Sequence, residues 1–132
     1  MSNFEVRALP LYTKEHTWVK IMGADSVRIG VTDYAQKMLK EVNYADLPAE
    51  GDEVTQMESC AELESTKAVS QVYCPVSGTV VAVNEDAMDD PSIINQSPFD
   101  AGWLIDVEPS DLEAEKVNLM TAEEYKAYLE TL

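Results

Sequence analysis

A chain of 132 residues is long enough for one domain with a real hydrophobic core, expected to span residues 1–132. Its formal net charge of −16 repels nucleic-acid phosphates and anionic lipid headgroups, so neither nucleic acid nor a membrane is expected as a partner. Residues 1–7 lack the basic start and apolar stretch of a secretion signal, and no apolar run reaches transmembrane length. The expected compartment is the bacterial cytoplasm, where both cysteines are reduced.

In chain order, residues 19–22 and 27–31 flank Gly23-Ala24-Asp25 and read as a hairpin. Thr32 or Asp33 can cap a helix running to about Val42, with Asp33 and Gln36 in a capping-box pattern. Tyr34, Ala35, Met38, Leu39 and Val42 would form its inward face. Beyond Pro48 the pattern changes to strand and turn. Residues 60–63 and 69–74 are strand-like runs around the polar break 64–68, a hairpin with Lys67 at its tip. A turn at Ser77-Gly78 leads into a strand over 79–83. Residues 86–99 are polar, contain Pro91 and Pro98, and read as a long ordered loop. Residues 103–107 form the final strand. Thr121 and Glu124 then make a capping box for a last helix, with Met120 stapled onto Tyr125 and with Ala122, Tyr125, Leu129 and Leu132 inward. The sum is a small, mainly β domain with helices over 33–42 and at the C-terminus.

Catalytic machinery is not evident. His16 is the single histidine, and no nucleophile and orienting acid are placed around it. No Cys or His cluster has metal-ligand spacing, so no metal is expected. The glycines are scattered at turns and build no phosphate loop. A carrier is therefore expected rather than an enzyme. A lysine alone at a hairpin tip is either a solvated residue paired with Glu64 or an anchor that a modifying enzyme can reach.

The ordered motifs 12–19 (Tyr-Thr-Lys-Glu-His-Thr-Trp-Val), 29–36, 46–48, 51–54, 64–68, 74–80, 83–84, 94–95, 98–99 and 102–104 resemble the H protein family of the glycine cleavage system. The resemblance covers residues 12–129. It implies the barrel-sandwich hybrid fold of lipoyl and biotinyl domains. It also implies lipoate bound covalently to Lys67, with Glu64, Ser65, Thr66 and Ala68 as the recognition element for attachment. Biotinyl lysines usually lie between methionines, whereas Thr66 and Ala68 flank Lys67. The partners implied are a lipoate ligase or lipoyl-assembly enzymes, dihydrolipoamide dehydrogenase, and the glycine cleavage P and T proteins.

The resemblance also assigns Glu15, His16, Thr17 and Gln71 to the cleft that shelters the arm. An aminomethyl cargo is an ammonium and needs acids there. Thr17 and Gln71 stand where the family commonly has acidic residues, and Glu15 where it has a small one. Cys60 and Cys74 each lie seven residues from Lys67. A hairpin symmetric about Lys67 makes them face each other; one centred on Thr66 and Lys67 puts them on opposite faces. They are inert packing, or a redox pair exchanging with the arm. Together these departures resemble the lipoate-binding proteins of sulfur oxidation, which serve a heterodisulfide-reductase-like complex. That pathway is the expectation, with the glycine cleavage carrier as first alternative and a lipoyl relay as second.

Overall fold

The computed structural model describes residues 4–23 and 25–132. Met1, Ser2, Asn3 and Ala24, which belong to the N-terminal segment and the first turn discussed above, lie outside the described residues.

Two antiparallel sheets make the sandwich, as the mainly β pattern predicts. One sheet is built from β1 (Leu11–Tyr12), β2 (Thr17–Gly23), β3 (Ser26–Val31), β5 (Glu53–Val54), β8 (Gly78–Val83) and β9 (Ile105–Pro109), in the order β1-β2-β3-β9-β8-β5. The other is built from β4 (Val42–Asp46), β6 (Ser59–Ser65) and β7 (Val69–Tyr73), in the order β4-β6-β7. Apolar residues alternate inward from both sheets. Val27, Ile29, Val80 and Val107 meet Ala45, Ala61, Leu63 and Val72 in one core, as period-two patterning requires. Across the large sheet, Arg28 pairs directly with Asp106 and holds its carboxylate through two bonds of 2.8 and 3.1 Å.

A second, aromatic core docks the C-terminal helix. Tyr12 stacks on Tyr125 with ring centres 4.6 Å apart, and Trp18, Phe99 and Leu129 complete the cluster. Helix α5 (Ala122–Leu129) begins with the expected capping box, Thr121 and Glu124 exchanging side chain-to-backbone bonds. Met120 joins the same aromatic cluster, consistent with the staple. Leu132, expected inward, is exposed, because the helix stops at Leu129. No helix among the described residues is long and apolar enough to cross a membrane.

Three further elements differ from the sequence expectation. Helix α1 (Asp33–Leu39) ends before Val42, because Lys40 turns to a positive φ of 68° and Val42 opens β4. Its buried face is Asp33, Gln36 and Leu39, while Met38 is 57% exposed. The cap is Thr32, whose hydroxyl accepts the Ala35 N–H; Asp33 and Gln36 bond to each other instead of forming a capping box. The segment 86–99 is not a loop throughout: it holds α2 (Glu85–Asp89) and α3 (Ser92–Gln96). Pro91 sits ahead of α3, where its missing N–H costs nothing. A short helix α4 (Leu112–Glu115), absent from the sequence reading, precedes a 3-10 turn at Lys116–Asn118.

Candidate functional site

Strands β6 and β7 form the expected hairpin, and Lys67 stands exposed at its tip. The Ser65 N–H donates to the Ala68 carbonyl at 2.8 Å, and the Ala68 N–H donates to Ser65 Oγ at 3.2 Å. Thr66 and Lys67 are therefore the two central residues of the turn. Asn43 on β4 reaches across and donates to Thr66 Oγ1 at 3.0 Å, tying the tip to the neighbouring strand. Small hydroxylic and methyl side chains around the lysine thus shape the turn, which accounts locally for the Ser-Thr-Lys-Ala run. The ammonium of Lys67 makes no ion pair with Glu64 or any other described residue, so the paired-surface reading is not what the structure shows.

Beside the tip lies a largely apolar cavity of about 290 Å³, lined by Leu39, Lys40, Glu41, Ser65, Thr66 and Lys67. Its wall is the joint between α1 and β4. Asn95 on α3 grips that joint. Its Oδ1 accepts the Val42 N–H at 2.9 Å, and its Nδ2 donates to the Lys40 carbonyl at 2.6 Å and to Gln36 Oε1 at 2.9 Å. Sequence reasoning placed Asn95 in a family motif but gave it no role, and it missed Asn43. A lone asparagine in a polar segment carries no spacing signal for either task.

The four expected cleft residues do not share one environment. Glu15 is exposed in the turn between β1 and β2. His16 is half-buried with a positive φ of 67°, and its Nδ1 lies 2.8 Å from the Tyr125 hydroxyl. Burial lowers its pKa to about 4, so the imidazole is neutral at pH 7. Its ring lies among Tyr34, Tyr125 and Tyr128, a structural setting. Thr17 is only 1% exposed; its hydroxyl bonds to Thr13 Oγ1 at 2.7 Å and donates to the Tyr73 carbonyl at 3.1 Å. A carboxylate there would meet a carbonyl oxygen without water, so Thr17 is a tie between β2 and the end of β7 rather than a vacated acid. Gln71 lies directly across from Glu62 and donates to its carboxylate while accepting from Ser59. The negative charge expected at position 71 is present on the adjoining strand, at Glu62.

The strands that hold the two cysteines carry a feature that neither sequence alternative contained. Near the tip the register pairs Glu64 with Val69 and Ala61 with Val72, as a turn centred on Thr66 and Lys67 requires. Between Ala61 and Ser59 the register shifts, leaving Cys60 as an extra residue on β6. Both thiols are free, Cys60 half-buried and Cys74 buried. The Cys74 side chain holds Cys60 below the usual thiol range, and Cys60 together with burial pushes Cys74 up.

A β sandwich that presents one unpaired lysine at a hairpin tip defines a carrier-type domain. Residues 10–132 match the family model for the glycine cleavage H-protein. The glycine cleavage system H protein of Geobacillus kaustophilus is 51% identical over 118 residues, covering 89% of this chain and 91% of the relative. A probable glycine cleavage system H protein of Pyrococcus horikoshii is 44% identical, covering all of this chain and 98% of the relative. A crystal structure of a glycine cleavage system H protein from Mycobacterium marinum superposes with a TM-score of 0.86 at 38% identity, covering 94% of this chain and 98% of that one. The chain belongs to the glycine cleavage H-protein family. Its members are lipoyl carriers rather than enzymes, with lipoate bound covalently to a lysine. The expectation of sulfur oxidation finds no support in these relatives, all of which carry glycine-cleavage names. Of the departures that suggested it, Thr17 and Gln71 have the local explanations given above.

Proposed function

We propose that this chain is the lipoyl carrier of a glycine cleavage system, a single domain bearing its arm on Lys67 and serving the P, T and L proteins. The observation that carries this reading is Lys67 itself, exposed and unpaired at the tip of the β6–β7 hairpin in a chain of the H-protein family.

The residues present fit a lipoyl group. Amide formation removes the charge of Lys67, and an apolar hollow lies alongside to receive an alkyl arm. When bound, the group supplies a pair of sulfurs that holds and releases a cargo with transfer of two electrons. The protein's part is to display and position. Ser65 and Ala68 close the turn so that Lys67 faces outward for an attaching enzyme. Asn43 holds Thr66 and so limits swaying of the tip. Glu64 and Glu62 on the strand leading to the tip give a cationic cargo a negative neighbourhood, which the glycine-cleavage reading needs.

Two measurements test this. Intact mass after treatment with lipoate and a lipoate ligase should rise by one lipoyl group, and Lys67→Arg should abolish the rise. Lipoylated protein should then support glycine turnover with P, T and L proteins. A mass rise that persists in the variant would move the arm elsewhere. A fully lipoylated protein that the P protein ignores would end the glycine-cleavage assignment.

A further inference from the structure

Strand β2 points Val19 into the main core and Trp18 and Lys20 to the outer side of the large sheet. Two adjoining cavities of about 240 and 320 Å³ open there and share Trp18, Lys20, Phe99 and Asp100. Their floor is aromatic. Trp18 and Phe99 are nearly buried, with ring centres 6.1 Å apart, and Trp103 lines the second cavity. Both tryptophans of the chain therefore line one groove. The display of Lys67 uses none of it, because that hairpin belongs to the other sheet.

The charges of the groove differ from those of the rest of the molecule. Three of the nine lysines and arginines line it, Arg7, Lys20 and Arg28, against one of the 25 acidic residues, Asp100. Two of the three cations are already engaged. Arg7 bonds Glu5 and holds Asp100 at 2.9 Å, while its guanidinium lies over the Phe99 ring. Arg28 holds Asp106 and lies 4.1 Å from the centre of the Trp103 ring. Lys20 has no ion pair among the described residues. It also stands directly across the ladder from Arg28, and like charges so placed repel. Asp106, on the far side of Arg28, compensates Arg28 and leaves Lys20 without a counter-charge.

We propose that this groove binds a small aromatic carboxylate, with its ring against Trp18 and Phe99 and its carboxylate on Lys20 Nζ. The anion supplies the counter-charge that Lys20 lacks and offsets the repulsion from Arg28. The walls select the ring. Indole and phenyl groups, with two guanidinium groups pinned by carboxylates, give a flat ligand broad contact and little to reorder. Cavities of this size lie near the lower end of the roughly 300–1,000 Å³ found for ligand sites, which favours a single ring over a polycyclic body. Asp100, held on Arg7, repels a second carboxylate, so a monoanion fits better than a dianion.

The probe is cinnamate, a flat carboxylate with one ring, titrated into the full-length chain with and without lipoate on Lys67. Proton–nitrogen correlation spectra follow the two indole N–H signals, of which that of Trp18 is bonded to the Pro98 carbonyl at 3.0 Å. Both signals should shift saturably, and alike in the two forms, since the site uses no part of the arm. Cinnamamide, which lacks the charge, should bind about fivefold more weakly. Octanoate, which lacks the ring, should also bind about fivefold more weakly. Lys20→Gln should weaken cinnamate about fivefold and leave cinnamamide unchanged, which also shows that the groove is intact. No saturable shift, or shifts confined to the hollow beside Lys67, would overturn the site. Cinnamamide binding as tightly as cinnamate would overturn the role of Lys20, and octanoate binding as tightly would overturn the aromatic class.

Discussion

Replacing Asn95 with alanine tests whether the wall beside Lys67 is held from behind. The Asn95 amide bonds to the Lys40 carbonyl and the Val42 N–H, on either side of Glu41, just after Lys40 adopts a positive φ of 68° that lysine rarely takes. Alanine keeps α3 but removes all three bonds. The partly buried Val42 N–H loses its acceptor, at a cost of about 1–3 kcal/mol. The bond to Gln36 contributes about 0.5–1.5 kcal/mol more. The Lys40 carbonyl is exposed and can turn to water, so it adds little. The expected loss is about 2–4 kcal/mol, a substantial part of the stability of a domain this size. Urea unfolding should show a lower midpoint with an unchanged slope. Amide exchange over residues 40–44 should rise in the folded protein, ahead of global opening. A loss below about 1 kcal/mol with unchanged exchange would refute the reasoning, because water would then replace the grip and Lys40 would hold its conformation unaided.

Gly30→Ala places a methyl group 2.6 Å from the Trp18 indole, so it should destabilise by about 1–3 kcal/mol, read from the same unfolding curves; a neutral result would mean that Trp18 can move aside. The His16 ring should titrate near pH 4 in the folded protein, seen as the only histidine signal in a proton NMR titration, and a midpoint near 6.5 would contradict its burial. Because this pKa is depressed, the unfolded chain binds the proton first as pH falls. His16 therefore contributes full stability above about 6.5 and progressively less down to about 4. Tyr125→Phe removes the hydroxyl lying 2.8 Å from both His16 Nδ1 and Thr32 Oγ1, and should cost about 1–3 kcal/mol in thermal unfolding while leaving lipoylation of Lys67 unchanged.

The sheet framework was legible because apolar alternation and turn residues agree: the hairpins at Gly23 and Lys67 both appear where strand runs flank polar breaks. Where the reading failed, backbone geometry overrode a pattern. Val42 continues the helical apolar stripe on paper, yet Lys40 breaks the helix by entering a region that sequence rules reserve for glycine or asparagine. Met38 fits that stripe too, but the helix turns polar Asp33 and Gln36 inward because each finds a partner there. The prolines at 91 and 98 suggested loop, although Pro91 at the head of a helix is a starting signal. The hairpin tip that displays Lys67 was legible, and the residues that support that tip were not. Asn43 acts through one hydrogen bond and Asn95 through three, all across long sequence separations, and the register shift at Cys60 depends on one inserted strand residue that alternation cannot reveal.

β6 is the middle strand of its sheet, bonded to β4 on one side and β7 on the other, so the residue at its end is anchored from two directions. For a carrier this sets where the freedom resides. An arm on Lys67 would start two residues beyond this anchored strand, and the territory it swept would be set chiefly by the length of the attached chain. Enzymes that dock in succession would then find the same origin at the same distance. What varies from visit to visit is only the direction in which the tether happens to point, a search confined to a small volume and correspondingly fast.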